Sequence, residues 1–138
     1  MKRYFKLITL VFCFVMILTA LAYAVDFKVK LNLYERLITM GLLPQTGSFA
    51  TLKIITELNL MLAPTDEENK TAGLETQTNG SIIAKNGWLA VPEKEIILGE
   101  IAYGIITDAL KKLDEEKKLS MEHIKVYEKF MVNKTEGE

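Results

Sequence analysis

From Phe27 onward the apolar residues change period several times, and nearly every change is marked by a capping or turn residue. A chain punctuated this often cannot form one long helix or a uniform sheet, and must fold as short elements around a shared core. Phe27, Val29, Leu31 and Leu33 alternate with Lys28, Lys30 and Asn32, the period of a strand with one buried face. Asn32 with Glu35 three residues on predicts a capped helix start, with Leu37, Ile38, Leu42 and Leu43 as its apolar face and Pro44 as its stop. Ser48 is placed to cap a second helix, in which Phe49, Leu52, Ile55, Leu58 and Leu62 recur at helical spacing before Pro64. Thr65 and Glu68 predict a third, short helix ending near Gly73.

The middle of the chain changes in kind. Asn79-Gly80 and Asn86-Gly87 are hairpin dipeptides of the type I′ turn, and they separate residues 74–78, 81–85 and 88–91. This predicts a small antiparallel β-meander, after which Glu95 to Leu98 fits either a further strand or a helix start. A long helix follows from about Gly99 to Lys118, with Ala102, Ile105, Ile106, Ala109, Leu110 and Leu113 as a broad stripe. Its exposed end allows the i,i+4 pairs Lys111–Glu115, Lys112–Glu116 and Asp114–Lys118, each contributing only about 0.3 kcal/mol. Ser120 is expected to cap a last helix with Ile124, Tyr127 and Met131 on one side. The expected fold class is therefore α+β: one small, mostly helical domain over residues 25–132, with a disordered polar tail at 133–138.

The first 24 residues read differently. Lys2, Arg3 and Lys6 precede an unbroken apolar run from Leu7 to Leu18, and Ala22-Tyr23-Ala24 ends the segment with small residues at signal-peptidase spacing. A secretory signal over residues 1–24, cleaved after Ala24, is the expectation, with an exported protein, periplasmic or extracellular, as its consequence. The rival is a retained anchor over residues 7–24, since that uncharged run touches the lower limit of the ~17–25 residues a span needs. Translation starting near Val25 would instead give a cytoplasmic accessory protein. Cys13, the only cysteine, lies inside the apolar run, so a cleaved chain has no thiol and must be held together by its core.

Charge narrows the partners. The chain has 17 basic and 18 acidic residues; with Lys2, Arg3 and Lys6 removed, 14 stand against 18, a net charge of −4. Arg36 is then the only arginine, so the basic footprint of a nucleic-acid binder is missing.

Gly41 to Ile55 (GLLPQTGSFATLKII) and Leu110 to Phe130 (LKKLDEEKKLSMEHIKVYEKF) resemble a family of small uncharacterised proteins of phages, prophages and their bacterial hosts. The resemblance runs from about Val29 to Phe130. It implies a phage or bacterial context and no catalytic residue, because the family has no assigned activity. The signal segment departs from that pattern and puts a purely cytoplasmic role in doubt.

Few residues point to chemistry. His123 is the only histidine, and neither a second histidine nor a cysteine is at hand to complete a metal site. Asp66, Glu67 and Glu68 lack the alternating ligands of a calcium loop and are explained by the dipole of the helix they begin. Ser48, Ser81 and Ser120 sit at caps or turns and outside any nucleophile elbow. Catalytic residues, cofactor and metal are accordingly none. Trp88, directly after a hairpin dipeptide, is the candidate interaction residue, with packing over the small sheet as its plainer role. The expected function is a small exported interaction or structural protein of the bacterial envelope, binding an unknown protein partner. A small wall-active hydrolase working with two carboxylates is the alternative.

Overall fold

The computed structural model describes residues 26–132. The expected signal segment, with Ala22 and Ala24, and the expected tail at 133–138 lie outside the described residues. The element order is β1 (Asp26–Leu31), α1 (Leu33–Leu42), α2 (Phe49–Leu62), α3 (Asp66–Ala72), β2 (Leu74–Thr76), β3 (Ile82–Ala84), β4 (Lys94–Gly99), α4 (Glu100–Glu115) and α5 (Ile124–Tyr127), which runs on into a π-helical turn (Glu128–Val132). These helices and two small antiparallel sheets make an α+β domain.

β1 pairs with β4 in antiparallel register, from Asp26 opposite Gly99 to Leu31 opposite Lys94. Val29, Leu31, Ile96 and Leu98 fill the inner face, as the alternation in β1 requires. Leu33, expected as the last residue of that strand, instead begins α1. Glu95 to Leu98 is thus strand, and its partner lies across three helices and a hairpin. Ile55, Leu58 and Leu62 of α2, Tyr103, Ile106 and Leu110 of α4, and Val126 and Phe130 close the core over this face.

The capping signals are realised in atoms. Asn32 Oδ1 accepts from Glu35 N–H at 2.9 Å while Glu35 Oε2 accepts from Asn32 N–H at 2.8 Å. Thr65 and Glu68 make the same reciprocal pair at the start of α3. The buried positions of α1 are not the expected ones, however. Leu33, Glu35, Arg36 and Thr39 are the buried residues within the helix, while Leu37, Ile38 and Leu42 are only half-buried. Packing on two sides explains this: α1 is enclosed, and its charged residues are tolerated because each finds a counter-charge.

α2 departs from its sequence stripe at one end. Ser48 caps it through Thr51 N–H, but Phe49 is 87% exposed and Leu52 37% exposed, so only Ile55, Leu58 and Leu62 reach the core. Leu58→Ala should cost about 2–5 kcal/mol, whereas Leu52→Ala should stay within about 1 kcal/mol. Urea denaturation of the two variants side by side checks the assignment, and equal losses would contradict it.

The meander is a correction. Only β2 and β3 pair, and residues 88–91 form turns in place of a third strand. Neither Asn-Gly pair adopts the type I′ turn, since neither asparagine has positive φ. Gly80 at φ 84° closes a loop in which Gly80 N–H donates to the Gln77 carbonyl and Gln77 N–H to the Ser81 carbonyl, the type I turn with a left-handed glycine. At the second pair the chain is pinned backwards: Asn86 N–H donates to the Ala72 carbonyl, and Asn86 Nδ2 to the Thr71 carbonyl at 2.9 Å. The turn that would have launched a third strand is spent tying the hairpin to the end of α3.

α4 stops three residues short of the expected Lys118. Lys117 N–H donates to the Asp114 carbonyl and Lys118 N–H to the Leu113 carbonyl, a Schellman ending with Lys117 in the left-handed region at φ 54°. Two of the expected helix-surface charges are therefore redirected: Lys118 pairs with Glu116 at 2.8 Å, and Asp114 accepts from the Tyr127 hydroxyl at 2.9 Å. The last helix also differs, because it begins at Ile124 and not beside Ser120. Its buried residues are Val126 and Phe130, with Tyr127 and Met131 half-buried and Ile124 exposed. Widening to a π turn rotates the face that the regular spacing indicated.

Candidate functional site

A groove of about 620 Å³ lies between the end of α1, one face of α4 and the loop before α5. Ile105, Asp108, Ala109, Lys112 and Leu113 recur at i, i+3, i+4, i+7 and i+8, so they share a face of α4, which the C-cap residue Glu116 extends. Gly41, Leu42 and Pro44 form the opposite wall where Pro44 ends α1, and the Schellman turn brings Lys118 and His123 to the third side. Leu42, Pro44, Ile105, Ala109 and Leu113 give an apolar floor, with Asp108, Lys112, Glu116, Lys118 and His123 as a rim of mixed charge. An apolar concavity with a few polar groups, in the range of about 300–1,000 Å³, is the usual form of a ligand site.

The two rim carboxylates are not arranged as a general acid–base pair. The Glu116 carboxyl is held below the usual carboxylate range by the Lys118 hydrogen bond and then by the Lys118 charge, the reverse of what a general acid needs. Asp108 and Glu116 are eight residues apart on one helix, about 12 Å along its axis. A glycosidase pair holds its carboxyl groups about 5–9.5 Å apart on opposite sides of a bond.

His123 Nδ1 accepts from Ser120 N–H at 3.0 Å and lies 2.9 Å from Ser120 Oγ. A serine beside a histidine invites a nucleophile–base reading. Here, however, both contacts lie within one turn, and Nδ1 is already taken by a backbone amide, so the imidazole does the work of a capping-box carboxylate. Ser120 thus fixes the His123 ring at the groove wall, and the contact is a local cap.

The remaining candidates are placed elsewhere. Ser48 caps α2, Ser81 bonds Asn79 within the hairpin loop, and Asp66 and Glu67 are exposed on the first turn of α3. Among the described residues no group of three or more His, Cys, Asp or Glu could hold a metal ion. Trp88 does not line the groove. It is half-buried against Leu33, Ala72 and Val91, with its ring 5.1 Å from that of Tyr34 and tilted by 59°.

Two ionic clusters, one around a fully buried arginine and one partly exposed, were invisible in the sequence. Arg36, fully buried, makes a two-pronged bond to Glu68, Nη2 to Oε1 at 2.7 Å and Nη1 to Oε2 at 3.1 Å. Lys129 Nζ reaches Glu35 at 2.7 Å, Glu93 at 2.8 Å and the Lys30 carbonyl at 2.8 Å. Neighbouring residues of α1 thereby tie it to α3 on one side and to the C-terminal π turn on the other. These clusters are latches of the fold and not a reaction centre.

The groove itself had one signal in the sequence. The apolar stripe of α4 is broader than one buried face requires: Ile106 and Leu110 go to the core, while Ile105, Ala109 and Leu113 line the groove. Among the described residues no helix is long and apolar enough to cross a membrane. No family model, curated protein sequence or solved structure matches this chain significantly.

Proposed function

We propose that this is a small exported protein that works at the bacterial envelope by binding a partner in the α1–α4 groove. The observation that carries the binding reading is the groove's make-up: an apolar floor within a rim of mixed charge, in which Glu116 is paired with Lys118. Export rests on the basic, apolar and Ala22–Ala24 pattern of residues 1–24, and the phage or bacterial context on the resemblance of residues 41–55 and 110–130. The ligand this lining suits is a short apolar peptide segment flanked by charges of both signs.

A photoreactive residue at Ala109 should cross-link a discrete partner in intact cells, recovered with the envelope fraction, while the same residue at Glu75 on the hairpin should not. Ala109→Arg, which thrusts a long charged side chain across the floor, should abolish that product with the melting temperature nearly unchanged. Undiminished cross-linking by Ala109→Arg would remove the groove as the site. Loss of phenotype in a folded His123→Ala variant with its partner still bound would overturn the binding reading, because it points to proton transfer.

A further inference from the structure

We propose that β4 is the surface through which two copies of this chain pair, giving one antiparallel sheet in the order β1–β4–β4–β1. The two edges of the β1–β4 ribbon are finished differently. On the β1 side the C-terminal π turn supplies Lys129, whose Nζ donates to the Lys30 carbonyl at 2.8 Å. That carbonyl points out of the ribbon, which makes Lys30 and Glu95 a pair not joined by ladder hydrogen bonds. Asn32 agrees with this phase, since its N–H goes to Glu35 Oε2 and not to the Glu93 carbonyl. Antiparallel pairs alternate, so Lys28 opposite Ile97 and Asp26 opposite Gly99 are of the same kind. Glu95 and Ile97 therefore direct their N–H and C=O groups away from β1. Among the described residues no backbone hydrogen bond reaches those groups from beyond the ribbon.

Edges of this sort are normally blunted by a proline, a bulge or an inward charge. β4 carries such charges only at its start, where Lys94, in phase with the inner face, donates through Nζ to the Met61 carbonyl and Glu95 is exposed; Ile96 to Gly99 contains none of these, and Ile97 is 49% exposed. A second copy is the occupant that this pattern fits. Antiparallel pairing centred on Ile97 sets Ile97 against Ile97 of the second copy on the outer face, and Glu95 against Gly99. On the inner face it sets Ile96 against Leu98, both already buried within each copy, so the contact is made by the backbone ladder and the outer-face isoleucines. No like charges face each other, whereas moving the centre to Ile96 would oppose Ile97 and Glu95. The two-fold contact closes on itself, and on each remaining β1 edge the Lys30 carbonyl is occupied by Lys129.

Register-specific disulfide formation in the full chain tests this, with Cys13→Ser as background. Cα atoms across such a pair are about 5.5 Å apart, inside the ~4.4–6.8 Å that a disulfide spans. Ile97→Cys should link into dimers under mild oxidation at least tenfold faster than Glu75→Cys, an exposed thiol on the hairpin. An equimolar mixture of Glu95→Cys and Gly99→Cys should link readily, while either by itself should not. Gly99 tolerates the change, because it has negative φ and nothing within 4 Å of an added Cβ. Linking of Ile97→Cys no faster than Glu75→Cys would overturn the pairing. Glu95→Cys linking alone as fast as Ile97→Cys would overturn it too, since association through residues 7–24 or any loose encounter has no register.

Discussion

Glu68→Ala should destabilise the domain by about 3–5 kcal/mol, the usual cost of leaving a buried charge without its partner. Arg36 is 0% exposed and its Nε has no hydrogen-bond partner among the described residues, so the two bonds from Glu68 are what make its burial tolerable. The same carboxylate caps α3 by accepting from Thr65 N–H at 2.9 Å, and alanine loses that bond as well. A double variant, Arg36→Met with Glu68→Gln, should recover most of the loss, because it removes the stranded charge and keeps an acceptor near Thr65. Urea unfolding of the single and double variants measures the difference. A single variant within 1 kcal/mol of the parent would show that Arg36 is solvated by some other route.

The same latches set a pH window. Burial raises the Glu68 carboxyl, but hydrogen bonds from Arg36 and Thr65 and the charges of Arg36 and Lys94 outweigh it, so the net shift is below 4.5. Its contribution is present above 4.5 and is lost as pH falls through the lower folded value. Burial lowers the Lys129 amine, but the bonds and charges of Glu35 and Glu93 prevail and lift it above 10.5. That contribution is complete below 10.5 and is lost as pH rises through the higher folded value. Melting temperature should therefore be flat across neutral pH and fall at both ends, with Glu68→Gln flattening the acid limb only.

Phe130→Ala is the second large effect, at about 3–5 kcal/mol for a fully buried ring. Phe130 is 0% exposed, with its ring centroid 5.6 Å from that of Tyr103, which is itself stacked 4.0 Å from Phe27. The Phe130 carbonyl also accepts from the Tyr103 hydroxyl, so ring and backbone hold the π turn to α4 together. Truncation should loosen the turn that carries Lys129 and expose β1 at its outer edge. Tyr103→Phe removes only the hydroxyl and should cost nearer 1 kcal/mol. Because the two residues touch, the double variant should lose less than the sum of the singles. Chemical denaturation with the tryptophan signal of Trp88 reads all three, and additive losses would mean that the Tyr103 bond does not depend on the ring.

The element starts were legible because a cap is a local device. Asn32 with Glu35, Ser48, and Thr65 with Glu68 act within one turn, so their chemistry stands in the order of residues. Gly73 at φ 62° is of the same kind: an added Cβ would meet Lys85 and Asn86 at 3.3 Å, and the residue type announces the left-handed stop. The Asn-Gly pairs were half-legible. Their glycines do take positive φ, but whether a strand follows depends on what the turn is tied to, and Asn86 is tied to α3.

The order of residues by itself determined the punctuation of this protein: where helices begin, where prolines and glycines stop them, and that β1 has one inner face. Tertiary structure decided which strand pairs with β1, which flank of the α4 stripe meets the core and which lines the groove, and why Phe49 and Leu52 stay in solvent. It also decided the burial of Glu35 and Arg36, two charges that local pattern assigns to the surface. The physical reason is range. Capping and turn preferences are settled among neighbours, whereas burial and pairing depend on groups brought together from 32 to 99 positions away, as Arg36 with Glu68 and Lys129 with Lys30 are.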